Sequence, residues 1–217
     1  MYGMLSDPNM KQINDANVSF WSPQPFFIGG FFFPQMLIQA AWLYRLYMLD
    51  STKPSERADL DEMVDYAPYF MVGNIAIGMW LFFWNAEMLQ VSNLFVIINS
   101  CTQLYYVFAK LQPMDTNSTT SILTHVVSKM FAGIGVLDLV HNGSVAYFKD
   151  APATMTVKVV TGLGFGLLSA ASDWIFGGCL VYDLVALAVG QGGSWGQLLG
   201  AYAVGAAAIV AAKNLAR

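Results

Sequence analysis

Charge is what this chain has least of. Asp, Glu, Lys and Arg make up 11% of its 217 residues, against about 25% in soluble domains. A soluble fold of that length would have too few polar groups to cover its surface. Basic runs are absent too: 10 Lys and Arg stand against 14 Asp and Glu, a net charge of −4, which excludes nucleic acid as an expected partner. Cysteine is scarce. Cys101 and Cys179 fall in apolar stretches, so no disulfide framework is implied and both read as free, buried thiols. The 2 histidines, His125 and His141, make no zinc-type site with the distant acids. No metal and no cofactor is expected. No Walker loop or dinucleotide fingerprint follows a strand. The run Gly162-Leu163-Gly164-Phe165-Gly166 is glycine-rich but lies in an apolar stretch, and like Gly196 to Gly200 it reads as a close helix contact. Met1 to Phe20 lacks the apolar core of a signal peptide, so the first span is expected to target the chain.

What remains is hydrophobic, at 56% of residues with mean hydropathy +0.51, and aromatic, at 14% with 6 Trp and 10 Tyr. Indole and phenol rings have one apolar and one wet end and suit a membrane interface. The expectation is an all-α, polytopic transmembrane helix bundle. Residues 1–217 form a single integral membrane domain with a polar N-terminal segment, 1–22, and an acidic loop, 50–65. A crossing needs about 20 apolar residues. Phe26–Leu49, Tyr66–Leu89, Asn93–Lys110 (after a short turn at Gln90-Val91-Ser92) and Ser121–Phe148 supply four spans. Thr154 to Gly190 is apolar almost throughout, and as one helix would be roughly 55 Å long, too long for one crossing. It divides at Ser169-Ala170-Ala171-Ser172-Asp173, where small and capping residues permit a turn. Thr154–Leu168, Trp174–Gly190 and, after Gly192-Gly193, Trp195–Ala212 complete seven spans, the alternative being six. Seven spans put Arg45, Lys53, Arg57, Lys110, Lys213 and Arg217 on one side and Lys11 and Lys149 on the other, whereas six divide the charges evenly. The positive-inside rule favours the uneven count, with the amino terminus outside or lumenal and the carboxyl terminus cytosolic.

Polar groups inside a bilayer are expensive, so each is a candidate for function. On the second span, Asn74, Gly78, Leu81 and Asn85 form a polar stripe, and beside it run Trp80, Trp84 and Glu87. Two indoles with an amide and a carboxyl make a pocket wall for a flat, apolar ligand, or else helix packing. On the fourth span His125 and Lys129 lie one turn apart, and Asp138, His141 and Asn142 follow at spacings that suit a satisfied interhelical network near a membrane surface, or else would let Asp138 hold a proton-exchanging His141. Lys129 calls for a carboxylate partner, with Asp183 a candidate. The sixth span brings Trp174 and Asp183, and a mid-span carboxyl such as Asp183 costs a few kcal/mol unless protonated or paired. Asn99, Gln103 and Tyr106 share a face on the third span and read as glue between helices.

The run Asn17-Val-Ser-Phe-Trp-Ser-Pro-Gln-Pro-Phe-Phe-Ile-Gly-Gly, followed by Trp42-Leu43-Tyr44, resembles the first helix of the tryptophan-rich sensory protein family, which includes the translocator (peripheral benzodiazepine receptor) proteins. Asn74-Ile-Ala-Ile-Gly-Met-Trp-Leu-Phe-Phe-Trp-Asn is similar to that family's second helix, and the short turn into a helix ending Leu104-Tyr105-Tyr106 fits as well. The core family has five helices, so the likeness is to its longer relatives. The resemblance implies an aromatic cavity that binds porphyrins, sterols or similar flat molecules. The leading expectation is therefore a non-enzymatic membrane receptor or carrier, with Trp21, Asn74, Trp80, Trp84, Asn85 and Trp174 lining the ligand site. The alternatives are an intramembrane enzyme of the cyclase or isomerase type, with Asp183, Asp138 and Glu87 as candidate acids, and a structural subunit of a membrane complex. Expected partners are the bilayer, the hydrophobic ligand and, through small-residue helix faces, a second copy of the chain.

Overall fold

The computed structural model describes residues 6–216. Among the described residues there are eight α-helices and no strand. In chain order they are α1 (Met10–Ala16), α2 (Pro25–Met48), α3 (Arg57–Asn85), α4 (Leu89–Tyr105, extended by a π-helical turn Tyr106–Lys110), α5 (Thr119–Tyr147), α6 (Met155–Ala171), α7 (Trp174–Gln191) and α8 (Gly193–Leu215). All but α1 and α6 are long and apolar enough to cross a bilayer, and α6 is apolar but only 17 residues long. This is a polytopic helical membrane protein.

The chain divides where its capping residues stand. Pro25 opens α2 behind Gln24, whose side chain accepts from the Phe26 N–H. Ser118, Thr154 and Asp173 cap α5, α6 and α7 by accepting from backbone N–H groups three residues on. The apolar run from Thr154 to Gly190 breaks at Ser172-Asp173, as the capping chemistry there predicts. Gly192 and Gly193 adopt φ of 60° and 55°, a left-handed turn that favours glycine and joins α7 to α8 within one residue.

Hydrogen bonds define the two ends of the bundle. At the proximal end, where α2 begins, residues 18–24 cross the other helices and turn once at Phe20-Trp21, where the Ser22 N–H donates to the Ser19 carbonyl. The Gln24 N–H donates to the Ala186 carbonyl, Gln191 Nε2 to the Ser19 and Ser22 carbonyls, Trp195 Nε1 to the Phe20 carbonyl, and Trp21 Nε1 to Thr161. At the distal end Arg45 meets Asp59 and Thr120, and Lys213 Nζ and Asn214 Nδ2 donate to the Ser172 carbonyl. Helices α2 to α8 run alternately between these ends. Short α6 is among them, with Thr161 near its proximal start and Ser172 just past its distal stop.

The central helix is α5. Buried residues make up 67% of its most apolar stretch, against 17% for α2 and 22% for α3 and α8. Those outer helices turn Phe26, Phe33, Ile75 and Val204 outward, the surface a lipid solvent accepts. Helix α5 runs parallel to α7, and the two touch where Gly133 faces Cys179. Gly162 accommodates the Tyr202 ring and Gly196 the Ala188 carbonyl, so these two glycines serve contacts within the chain.

Three boundaries differ from the sequence expectation. The acidic stretch 50–65 is a loop only to Glu56, because α3 starts at Arg57. Its charges are absorbed at the rim: Asp59 accepts from Arg45, Ser118 and Thr120, and Arg57 pairs with Asp61 one turn on. The polar segment 1–22 contains α1, which packs Met10 and Ile13 onto Trp80, Trp84 and Val145. The turn between the second and third spans is Ala86–Met88, not Gln90–Ser92, with Glu87 at φ 55°. Gln90 and Ser92 are helical, and their side chains donate to the Ala146 and Trp80 carbonyls.

The α5–α7 contact yields a stability test. A Cβ on Gly133 would lie 2.3 Å from Cys179 Cβ. We expect Gly133→Val to cost about 1–3 kcal/mol in unfolding by increasing SDS fraction in mixed micelles. Cys179→Gly in the same chain should recover much of that loss. Wild-type stability of the single variant would contradict the contact.

Candidate functional site

Of the residues expected to line a ligand site, Trp80 and Trp84 lie together at the proximal end. Trp80 and Trp84 are one turn apart on α3, their rings 5.7 Å apart and tilted by 38°. Trp80 Nε1 donates to Asn142 Oδ1 at 2.7 Å. Trp84 is 3% exposed, and its ring centre is 6.0 Å from that of His141 on α5. The His141 ring also reaches the Trp21 backbone, while its Nδ1 has no partner. Both atoms of the buried Asn85 amide are likewise unpartnered. Helix α1 covers the indoles through Ile13 and Met10. Trp21, Trp80 and Trp84 are thus joined through His141 and Asn142. The sequence marks His141 for proton exchange or an interhelical network, with Asn142 beside it, and neither for the wall. The spacing Asp138-x-x-His141-Asn142 was the available signal, but no single-helix pattern shows that it faces α3.

Three of the expected site residues lie apart. Asn74 is exposed and donates to the Phe70 carbonyl of its own helix. Its spacing to Asn85 follows α3, but the helix face turned to α5 carries Gly73, Trp80 and Trp84 instead. Trp174 opens α7 at the distal end and is exposed. Glu87 is exposed in the α3–α4 turn, away from the other two acids. Asp138 and Asp183 are both buried, on the parallel helices α5 and α7. Of the glue expected on the third span, Gln103 provides it, accepting from the Tyr66 hydroxyl at Oε1 and donating from Nε2 to the Tyr69 carbonyl, whereas the buried Asn99 amide has no hydrogen-bond partner among the described residues.

Lys129 takes Asp173 as its carboxylate, not Asp183. Its Nζ donates to Asp173 Oδ2 and lies 2.7 Å from His125 Nδ1. Asp173 also caps α7 by accepting from the Phe176 N–H at 3.0 Å. One carboxylate therefore starts α7 and neutralises the buried ammonium of α5. Burial pulls the Asp173 carboxyl upward, but the hydrogen bonds from Lys129 and Phe176 and the Lys129 charge outweigh it and hold the group below its usual range.

Open clefts lie elsewhere, at the distal rim. One, of about 360 Å³, is bounded by Asp61, Glu62, Asp65 and Lys110, and another by Arg45, Asp59 and Ser118. Both are polar and shallow, and neither involves the indoles. No metal-binding group of three or more His, Cys, Asp or Glu occurs among the described residues. Comparisons with family models, with curated proteins and with solved structures give no match.

The Lys129–Asp173 pair can be measured by a double-mutant cycle. Because Asp173 is about a third exposed, Lys129→Met should cost about 2 kcal/mol, less than a fully buried pair. Asp173→Asn keeps a capping oxygen, and combined with Lys129→Met should restore part of the loss. The sign with pH follows from the depressed carboxyl. Its stabilisation is complete above the unfolded value of about 3.9 and is lost as pH falls through the lower folded value. The wild-type advantage over Asp173→Asn should therefore shrink only in acid. An advantage that instead grows in acid would contradict the pairing.

Proposed function

We propose that this protein is a membrane receptor or carrier for a flat, hydrophobic ligand with one polar edge, of the porphyrin or sterol kind, taken up against Trp80 and Trp84 beneath α1. The observation that carries this reading is the indole pair at 5.7 Å with two unpartnered polar groups beside it, His141 Nδ1 and the Asn85 amide. Buried polar atoms are ordinarily bonded. Groups left open next to aromatic faces are what a ligand with a polar rim would use. Helix α1 is only 7 residues long and caps itself through Asn9 and Gln12, so it can lift as a unit to admit the ligand. The resemblance of the first two spans to the tryptophan-rich sensory and translocator proteins supports the same class of ligand. The enzyme reading needs Glu87, Asp138 and Asp183 at one cavity, and Glu87 is outside it.

Tryptophan fluorescence tests the proposal. Protoporphyrin IX should quench the purified protein saturably, with micromolar affinity. Trp80→Ala/Trp84→Ala should weaken binding about tenfold, the loss of two stacking contacts. Quenching that never saturates, and is equal in the variant, would mean partition into the micelle and would sink the idea.

We also propose that the distal end is cytosolic. Arg45, Lys53, Arg57, Lys110 and Lys213 gather there, with Lys11 and Lys149 at the proximal end. Asn17-Val18-Ser19 and Asn117-Ser118-Thr119 are glycosylation acceptor sequences; Asn17 is buried and bonded to the Ile13 carbonyl, while Asn117 is in the exposed distal loop. Neither should carry a glycan in a eukaryotic secretory membrane. A cysteine placed at Asn117 should react with an impermeant maleimide only after the cells are permeabilised. Labelling of intact cells, or a glycan on Asn117, would invert the topology.

A further inference from the structure

The distal cleft of about 360 Å³ has the first turns of α3 on one side and the π-helical end of α4 on the other. Asp61, Glu62 and Asp65 line it at spacings of four and three, so they share one face of α3. Lys110 and Gln112 line it from the end of α4 and the segment beyond. Tyr106 is its inner wall. That residue is 1% exposed, and the little of it left open faces this cleft. Its ring packs on Tyr66 and Tyr69, with centres 4.6 and 4.9 Å away. The Tyr66 hydroxyl is bonded to Gln103, but the Tyr106 hydroxyl has no hydrogen-bond partner among the described residues. A buried phenol ordinarily has one. Glu62 Oε1 is a second buried polar atom in the same wall with no partner. The π-helical turn sets this geometry. The Leu111 N–H donates to the Tyr106 carbonyl, five residues back, at 2.8 Å, and the widened turn brings Tyr106 and Lys110 to one cleft. Such turns are frequent at functional sites.

The neighbouring acids are already matched. Asp59 is held by Arg45, Ser118 and Thr120, and Asp61 pairs with Arg57 at 3.5 Å. Glu62 and Asp65 have no ion pair among the described residues, and Lys110 pairs with neither, although it lines the same cleft. A single metal ion does not suit the space. The cleft has room for several waters of about 30 Å³ each, and its acids are not grouped closely enough to hold a metal. We propose that the cleft binds a small aliphatic amine of the diamine class. One ammonium group donates to Glu62 and to the Tyr106 hydroxyl oxygen, and the chain runs out to Asp65 at the exposed mouth. Lys110 opposes the simple gathering of counter-ions, so the fixed acceptors and not charge alone select the guest. The site is remote from the indoles and goes beyond the aromatic ligand reading, on which it does not depend.

The test uses the full-length protein in detergent micelles with no porphyrin present, so its failure and that of the ligand reading are separate. A ligand that binds the folded state raises the unfolding midpoint with its concentration. Putrescine is titrated against choline chloride at constant ionic strength and pH. The midpoint should rise by several degrees and saturate, and magnesium should not reproduce the rise. Tyr106→Phe should weaken binding about tenfold, the loss of one hydrogen bond to a charged group. Asp65→Asn should weaken it as well, while Asp50→Asn, outside the cleft, should leave it unchanged. Tyr106→Phe removes one oxygen and keeps the ring, and Asp65 is exposed, so both variants keep the packing of the fold. A wild type with no saturating rise overturns the site. So does a rise that magnesium matches, or one that is equal in Tyr106→Phe and Asp65→Asn, because cations would then only collect on an acidic rim.

Discussion

Helix α5 is buried on nearly every side and still carries Thr120, Thr124, Lys129, Asn142 and Ser144, so its polar side chains must find partners inside the bundle. With no water in the hydrocarbon core to take their place, those partners set the arrangement of the neighbouring elements. Trp42 donates to Thr124 and Arg45 to Thr120, which fastens α2. Trp80 donates to Asn142 and Thr120 to Asp59, which fastens both ends of α3. Ser100 donates to the Gly135 carbonyl from α4, and Lys129 donates to Asp173 at the head of α7. Ser19 of the lead-in shares a 2.6 Å hydrogen bond with Ser144. One polar helix thereby fixes the register of α2, α3, α4, α7 and the N-terminal segment, while the outward faces of α2, α3 and α8 need only be apolar.

The same dependence explains what could be read from the sequence. Apolar length, the Gly192-Gly193 turn and the capping oxygen of Asp173 are local, and they located the helices and the break between α6 and α7. The Ser22-Pro23 lead-in was legible as a motif, but its role was not. It packs so close to α7 that a Cβ on Gly190 would lie within 2.6 Å of the Ser22 carbonyl. Partner choice between helices was hidden, because a heptad or stripe pattern gives a direction from one axis and not what stands opposite. Asn74 and Trp80 are both polar-tipped residues of α3, yet only Trp80 faces α5. Lys129 had several carboxyls available in the sequence. Its choice of Asp173 over Asp183 follows from α5 and α7 being parallel and touching at Gly133, a fact of packing. The acidic stretch reads as a loop in the sequence but is helical from Arg57, because Arg45, Ser118 and Thr120 support the helix from outside.

Lys129 and Asp183 set the same physical problem and are treated differently. Each is an ionisable group on a helix in the middle of the bundle. Lys129 is given a carboxylate that doubles as a helix cap, and its cost is offset within the chain. Asp183, on the same pair of helices, is given leucines. Packing does not require this, since a leucine at that position would continue the Leu180, Leu184 and Leu187 surface, and apolar replacement of buried ions is often neutral or stabilising. No hydrogen bond ties Asp183 to another helix among the described residues. A group that neither fills space better than its apolar substitute nor ties two helices together destabilises the fold unless something outside the chain completes it.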